Sequence, residues 1–185
     1  MNHIIHIFGP SGAGTSTLGR KICAELGYHF MDTDDYFWLP TDPQFTTPRP
    51  VEERLRLMRE EIKREQDVVI SGSLVDWGDV LIPLFTLAIR VETDAQVRLR
   101  RLKAREQANF GSRVEPGGDL YEKHQAFLQW AMAYDAGGLD MRSRAKHDQW
   151  QMLLKCPLLE VDGAGDLERN FALVKAYVQD QEVRK

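Results

Sequence analysis

The sequence predicts an α/β protein in which a parallel β-sheet carries helices on both faces. Short apolar runs alternate with segments of helical periodicity along the chain, which is typical of parallel strands joined by crossover helices. A glycine-rich loop follows the first strand and opens the first helix, as phosphate-binding loops do. The 185 residues are 43% hydrophobic, which is enough for one full core. We therefore expect one domain over residues 1–185.

The apolar runs typical of short buried strands are residues 2–8, 28–31, 67–71, 85–91 and 158–161. The segments with helical spacing are a first helix that ends at Gly27, then residues 51–65, 94–109, 120–136, 139–154 and 166–179. The tetrad Thr93-Asp94-Ala95-Gln96 is typical of a capping box and predicts where one of these helices begins.

The loop after the first strand fits the phosphate-binding motif G-x-x-x-x-G-K-[ST], except that Thr15 occupies the lysine position. Glycines let successive backbone N–H groups turn toward one phosphate, and the helix that follows offers its positive N-terminal end. We call residues 9–17 the P-loop. Its predicted nucleotide-binding residues are Gly9, Ser11, Gly12, Ala13, Gly14, Thr15, Ser16 and Thr17.

Thr15 changes the charge of this loop. The motif's lysine reaches the β- and γ-phosphates, and the hydroxyl that follows it coordinates Mg²⁺. Ser16 supplies that hydroxyl here, whereas Thr15 offers a hydrogen bond and no charge. Two hypotheses therefore stay open, an active phosphotransferase and a protein that binds a nucleotide without transferring phosphate.

Polar residues follow three of the predicted strands, at 32–35, 71–73 and 162–165. The carboxyl ends of parallel strands meet at one edge of a sheet, so these residues should share a crevice with the P-loop. One of the aspartates within residues 32–35 suits the water shell of Mg²⁺, and another suits a substrate hydroxyl that must be oriented or deprotonated. The structural alternative is that Asp35 or Asp34 caps the next turn and the other carboxylates are solvated.

Together these features resemble the P-loop small-molecule kinases of the nucleoside monophosphate kinase and shikimate kinase group. The resemblance covers nearly the whole chain and is strongest to bacterial adenylate-kinase-like proteins that carry threonine at the lysine position. It implies a three-layer P-loop NTPase fold with a five-stranded sheet in the order 2-3-1-4-5 and a helical lid. It also implies ATP and Mg²⁺ as cofactors, with Ser16 and Asp32 on the metal and Asp34 on the acceptor.

The same resemblance places two further sets of residues. Gly72 and Ser73 stand where shikimate kinases have a glycine triplet, which implies contact with the acceptor but gives no support to shikimate itself. Gly163 lies in a loop similar to the one whose backbone holds adenine in these kinases. A plain turn between strand and helix is the alternative for that loop.

Kinases of this group fold lid arginines over the transferring phosphoryl group, and this chain is rich in arginine in the same region. Arg101 and Arg105 share one helical face with Arg98, while Arg142 lies in a later lid segment. Bidentate guanidinium groups stabilise spread negative charge and are candidates to replace the missing lysine. The alternative is a solvated basic face paired with nearby glutamates.

Two subregions are expected to serve the reaction. Residues 105–145 form the predicted lid, whose glycine pairs act either as hinges or as ordinary turns. Residues 35–65 form the predicted acceptor-binding subregion and contain a proline-dense stretch. On its helix, Arg54 or Arg59 is expected to hold an acidic substrate by analogy with related kinases.

Charge and composition exclude several functions. The net charge of −4 gives no general attraction to nucleic acid or anionic membranes. No apolar stretch approaches a membrane span and no signal peptide is evident. Cys23 and Cys156 suit reduced thiols. We therefore predict a cytoplasmic, ATP- and Mg²⁺-dependent kinase of a small molecule, monomeric or dimeric, with a nucleotide-binding pseudokinase or sensor as the alternative.

Overall fold

The computed structural model describes residues 2–183 and contains a five-stranded, all-parallel sheet in the order β2-β3-β1-β4-β5. This confirms the predicted fold class and sheet order. The strands are β1 (Ile4–Phe8), β2 (His29–Asp32), β3 (Val68–Ser71), β4 (Leu87–Glu92) and β5 (Leu158–Asp162). The helices are α1 (Thr15–Leu26), α2 (Thr33–Phe37), α3 (Val51–Glu65), α4 (Ala95–Phe110), α5 (Tyr121–Met132), α6 (Arg144–Gln151) and α7 (Leu167–Val183).

The central strand β1 is buried along its whole length because helices cover both faces of the sheet. Its alternate residues point to opposite faces. Ile5 and Ile7 join the core beneath α1 and α7, which includes Ile22 and Val174. The other face packs against α3, α6 and a 3₁₀ helix at Asp79–Leu84. The layers are therefore helix, sheet and helix, with the P-loop at the carboxyl edge of the sheet.

The predicted helix over residues 139–154 was wrong at its N-terminal end, since α6 begins only at Arg144. Ser143 is fully buried, and its Oγ accepts the backbone N–H of Lys146 at 3.0 Å while donating to the carbonyl of Gly138 at 2.7 Å. This cap fixes the start of α6 and leaves residues 139–143 as irregular chain that crosses to the P-loop.

The predicted capping box was also wrong in its capping residue. Asp94, not Thr93, caps α4, because its carboxylate accepts the backbone N–H groups of Gln96 and Val97 at 2.8 and 3.2 Å. The hydroxyl of Thr93 donates instead to the carbonyl of Ala13 at 2.9 Å. The junction between β4 and α4 is therefore hydrogen-bonded to the P-loop through the Thr93 hydroxyl.

Arg98 anchors the end of α5 and the segment after it to α4. It is fully buried on α4, its guanidinium pairs with Asp135, and it donates to the carbonyls of Thr93 and Ala131. Asp135 also pairs with Arg144 at 2.9 Å. The chain that follows α5 is thus held to α4 and α6 by these contacts.

No helix among residues 2–183 combines the length and the apolar character needed to span a lipid bilayer.

Replacing Asp135 with alanine should destabilise the fold by about 3 kcal/mol, because the buried Arg98 guanidinium then loses its carboxylate. Urea unfolding measures this loss. The matched control is Glu60→Ala, which removes an exposed partner from Arg56 and should cost less than about 1 kcal/mol. Equal losses in both variants would contradict the anchoring role of Arg98.

Candidate functional site

A cavity of about 1070 Å³ lies at the carboxyl edge of the sheet, between the P-loop, the segments that follow β2 and β3, and α4, α5 and the segment before α6. It brings together most of the residues predicted from the sequence. Those that line it are Gly9, Ser11, Gly12, Gly14, Thr15, Ser16, Thr17, Asp32, Asp34, Gly72, Ser73, Arg101, Arg105 and Arg142. Four predicted residues do not line it, namely Ala13, Arg54, Arg59 and Gly163.

The P-loop needs its glycines for two separate reasons. Gly12 and Gly14 have φ angles of 79° and 105°, a conformation that L side chains rarely adopt. At Gly9 the constraint is space, because a Cβ there would lie 2.4 Å from the carbonyl oxygen of Val91. The loop is therefore wrapped tightly against β4 and leads directly into α1, whose N-terminal end faces the cavity.

Ser16 and Asp32 lie together at the base of the cavity. Ser16 Oγ donates to Asp32 Oδ2 at 3.2 Å and lies 3.3 Å from Ser71 Oγ. These are hard oxygen donors, and one or two protein oxygens are what Mg²⁺ takes when phosphates and water complete its shell. Among residues 2–183 there is no cluster of three or more His, Cys, Asp or Glu able to hold a metal. The donor set thus fits a metal bound together with phosphate.

Asp32 also caps α2, since its Oδ1 accepts the backbone N–H of Asp34 at 3.1 Å. The alternative that Asp34 or its neighbour caps this turn was therefore wrong. Asp34 is therefore not the cap, and its carboxylate faces the cavity, where it is hydrogen-bonded by the Trp38 side chain. Gly72, which follows β3, packs closely against Thr33, because a Cβ at Gly72 would lie 1.8 Å from Thr33 Oγ1.

The lid places Arg142 directly on the P-loop. Arg142 Nη2 donates to Ser11 Oγ at 2.6 Å, and the guanidinium lies 4.6 Å from the ring centre of Trp130. Burial lowers the pKa of Arg142, and the nearby Asp34 carboxylate opposes that shift. An arginine retains its proton under such conditions. The cavity therefore holds a positive charge in contact with Ser11 of the P-loop.

Protein surrounds the Asp34 carboxylate on most sides, although the carboxylate is accessible from the cavity. This desolvation raises its pKa, and the neighbouring Asp32 raises it further. Arg142 and Arg105 act in the opposite direction. A carboxylate with a raised pKa is a better proton acceptor than a solvated aspartate.

The remaining arginines differ in what they contact. Arg101 spans the P-loop and the β5–α7 turn, with Nη1 donating to the carbonyl of Ala13 at 3.1 Å and Nη2 to that of Gly163 at 2.9 Å. Arg105 lines the cavity and pairs with the adjacent Glu106 at 3.1 Å. The backbone of Gly163 thus lies next to the P-loop without lining the cavity.

Neither arginine proposed for an acidic substrate reaches the cavity. Arg59 is exposed on α3. Arg54 is buried, and its guanidinium stacks 3.6 Å from the ring centre of Phe37 while its Nε donates to the carbonyl of Arg49 at 2.6 Å. Both predictions of substrate contact are corrected, because one side chain faces solvent and the other is enclosed behind an aromatic ring.

Sequence reasoning missed part of the lining. Lys123 and His124 on α5 face the cavity, and His124 Nδ1 is buried with no hydrogen-bond partner among the described residues. Ser73 Oγ contacts His147 Nε2 at 3.1 Å, and His147 Nδ1 contacts the hydroxyl of Tyr134 at 2.8 Å. The helical spacing gave no sign of these contacts, since they join α6 to the segment after β3 and to the 3₁₀ turn after α5 through tertiary packing.

Asp34→Asn should stabilise the protein at pH 7 and have little effect near pH 3. A carboxyl whose pKa is raised on folding contributes stability at low pH, and that contribution is lost as pH rises from about 3.9 through the folded-state pKa. The amide avoids this loss because it has no charge to desolvate. Urea unfolding across pH tests the stability, and ¹³C NMR titration of the carboxyl tests the shift.

Arg142→Gln provides the companion variant, and it should raise the Asp34 pKa further because it removes an opposing charge. An Asp34 carboxyl that titrates near 3.9, unmoved by this substitution, would contradict the geometry.

Comparisons with known proteins agree with this architecture. A family model described as "AAA domain" matches residues 5–116. The uncharacterized protein YqaC of Bacillus subtilis is 39% identical over 88% of this chain and 89% of its own length. A cytidylate kinase of Archaeoglobus fulgidus is 26% identical over 55% of this chain and 61% of its own.

Among solved structures, a shikimate kinase from Bacteroides thetaiotaomicron superimposes with a TM-score of 0.57 at 16% identity, covering 97% of this chain and 99% of that one. This likeness shows a shared fold. The chain therefore belongs to the AAA domain family, and its fold is similar to that of a P-loop small-molecule kinase, shikimate kinase.

Proposed function

We propose that this protein is a kinase that transfers the γ-phosphoryl group of ATP, with Mg²⁺, to a hydroxyl of a small molecule. The observation that carries the proposal is the 2.6 Å contact of Arg142 with Ser11 in the P-loop. It sets a guanidinium beside the loop that lacks its lysine. Arg142 would bind the β- and γ-phosphates and stabilise the charge that spreads during transfer.

The P-loop would hold the donor. Its backbone N–H groups and the N-terminal end of α1 would bind the phosphates, with the side chains of Thr15 and Thr17 adding hydroxyl donors. Ser16 and Asp32 would hold Mg²⁺, which neutralises phosphate charge when bound. The turn containing Gly163 would lie beside adenine, where Arg101 ties that turn to the P-loop.

Asp34 would act on the acceptor. Its carboxylate would accept a hydrogen bond from the acceptor hydroxyl and take its proton as the new O–P bond forms and the bond to the ADP oxygen breaks. Gly72 and Ser73 border the same part of the cavity. We assign acceptor binding to residues 35–65 and the lid to residues 105–145, within one domain.

The lid residues would exclude water. Arg105 and Arg142 line the cavity from residues 105–145, and closure of these residues over ATP would limit its hydrolysis. Such a kinase would act in the cytoplasm, where ATP is made and where thiols such as Cys23 and Cys156 stay reduced.

Calorimetric titration with ATP tests the donor site. We expect micromolar binding that weakens without Mg²⁺, and Arg142→Gln should weaken it about tenfold or more because a charge-assisted contact is lost. Arg59→Gln is the matched control, since this exposed arginine lies outside the cavity. Failure to bind millimolar ATP would contradict the proposal.

Phosphate transfer to an acceptor distinguishes the kinase from a nucleotide sensor. Thr15 is the observation that favours the sensor, since it removes the P-loop's own charge. Tight ATP binding with no product from a broad acceptor screen would support the sensor. Product formation that Asp34→Asn leaves unchanged would contradict the role of Asp34.

A further inference from the structure

The acceptor side of the cavity is built from aromatic rings. Phe37, Trp38, Phe45 and Trp77 all line the cavity and contact one another in sequence, and we call them the aromatic wall. The ring centres of Phe37 and Trp38 are 4.7 Å apart, those of Phe37 and Trp77 are 5.9 Å apart, and those of Trp38 and Phe45 are 6.2 Å apart. Two members of the wall, Phe37 and Trp38, lie just after Asp34 in the chain, because α2 ends at Phe37.

The arginines on this side are turned away from the cavity and hold the wall from behind. Arg54 stacks on Phe37, as described above, and lies 5.4 Å from the ring centre of Trp77. Arg49 donates to the carbonyls of Tyr36 and Trp38 and pairs with Glu53 at 2.9 Å. Neither arginine lines the cavity, so both support the rings and are not presented to an anionic group.

The charged residues that immediately precede Phe37 and Trp38 in the chain are negative. Asp32, Asp34 and Asp35 line the cavity next to the aromatic wall. The cations that line it, among the described residues, are Arg101, Arg105, Lys123 and Arg142. They come from α4, α5 and the segment before α6; Arg142 contacts the P-loop, and Arg105 and Arg142 both oppose the rise in the Asp34 pKa. A carboxylate or phosphate on the acceptor would therefore meet acidic side chains at the wall.

An uncharged hydrogen-bonding group completes this side. Ser73 Oγ is held by His147, whose burial lowers its pKa to about 3. The imidazole is therefore neutral at physiological pH, and Tyr134 holds its other nitrogen. This arrangement presents the Ser73 hydroxyl without a positive charge. It suits a hydroxyl, carbonyl or amide of the acceptor.

The cavity has room for two ligands. Its volume of about 1070 Å³ exceeds the ~300–1000 Å³ of a site for one drug-sized molecule. A nucleotide on the P-loop therefore leaves space against the aromatic wall for a molecule of nucleoside size.

We infer that the acceptor is an uncharged molecule of nucleoside size, with a planar ring that stacks on the aromatic wall and a hydroxyl that reaches Asp34. Planar rings stack on Trp and Phe at little cost in conformational freedom, and such stacking tolerates different bases. The inference rests on the proposed function and specifies its substrate class. Acidic acceptors such as a sugar acid or a nucleoside monophosphate are disfavoured.

Binding of unphosphorylated probes tests the inference without ATP. Adenosine and cytidine are titrated against the free protein in parallel with their 5′-monophosphates and with shikimate, and calorimetry measures each affinity. We expect each nucleoside to bind at least about tenfold tighter than its monophosphate, because the phosphate meets the acidic side of the cavity. Equal or tighter binding of a monophosphate or of shikimate would overturn the inference, as would failure of both nucleosides to bind.

Variants locate the binding. Phe45→Ala should weaken nucleoside binding about fivefold or more through lost stacking, and this ring is 41% exposed, so the fold tolerates the change. Leu173→Ala, on the exposed face of α7, is the matched control. Nucleoside binding that is unaffected by Phe45→Ala would overturn the placement on the wall.

Transfer assays with ATP, read together with ATP binding, distinguish an error in the inferred acceptor class from an error in the kinase proposal. Phosphorylation of a monophosphate or of shikimate, lost on Lys123→Gln, would leave the kinase proposal intact and overturn the inferred substrate class. Nucleoside binding with no ATP binding would contradict the kinase proposal and support the inferred ligand class at the wall.

Discussion

The candidate site depends on the contact between Arg142 and Ser11, which carries a positive charge from the lid to a P-loop without lysine. A polyphosphate needs that charge, because backbone N–H groups alone offer only partial charges. The contact is possible because the Ser143 cap delays the start of α6 and directs the preceding residue toward the P-loop. A lysine within the loop would need no such support, whereas an arginine on the lid makes the site depend on lid position.

The lid position in turn depends on buried charge. Asp135 accepts from Arg98 on α4 and from Arg144 on α6, and Arg144 also pairs with Glu92 at the end of β4 at 2.8 Å. These ion pairs connect the lid to the carboxyl edge of the sheet. Arg98 and Arg144 therefore support the structure around the site and do not line the cavity. The acceptor side is acidic and aromatic for a similar reason. Arg54 packs against Phe37 outside the cavity, whereas Asp34 faces the cavity.

The sequence predicted the fold and the P-loop because both leave local signals. Strand burial produces apolar runs, and the loop requires glycine at fixed positions such as Gly12 and Gly14. The position that a polar side chain takes in the folded protein leaves no such local signal in the sequence. Helical spacing grouped Arg98 with Arg101, although one is enclosed in the protein and the other spans two backbone loops. The role of Ser143 as a cap was equally hidden, because the apolar pattern runs through it and its partner Gly138 lies outside the helix.

The most direct test of the account is a double-mutant cycle on ATP affinity with Thr15→Lys and Arg142→Gln. If Arg142 supplies the charge that the P-loop lacks, Thr15→Lys should restore most of the affinity lost in Arg142→Gln and add little to the unaltered protein. The two effects would then be strongly coupled. Simple addition of the two effects would contradict the account, because the arginine and the introduced lysine would then act at independent places.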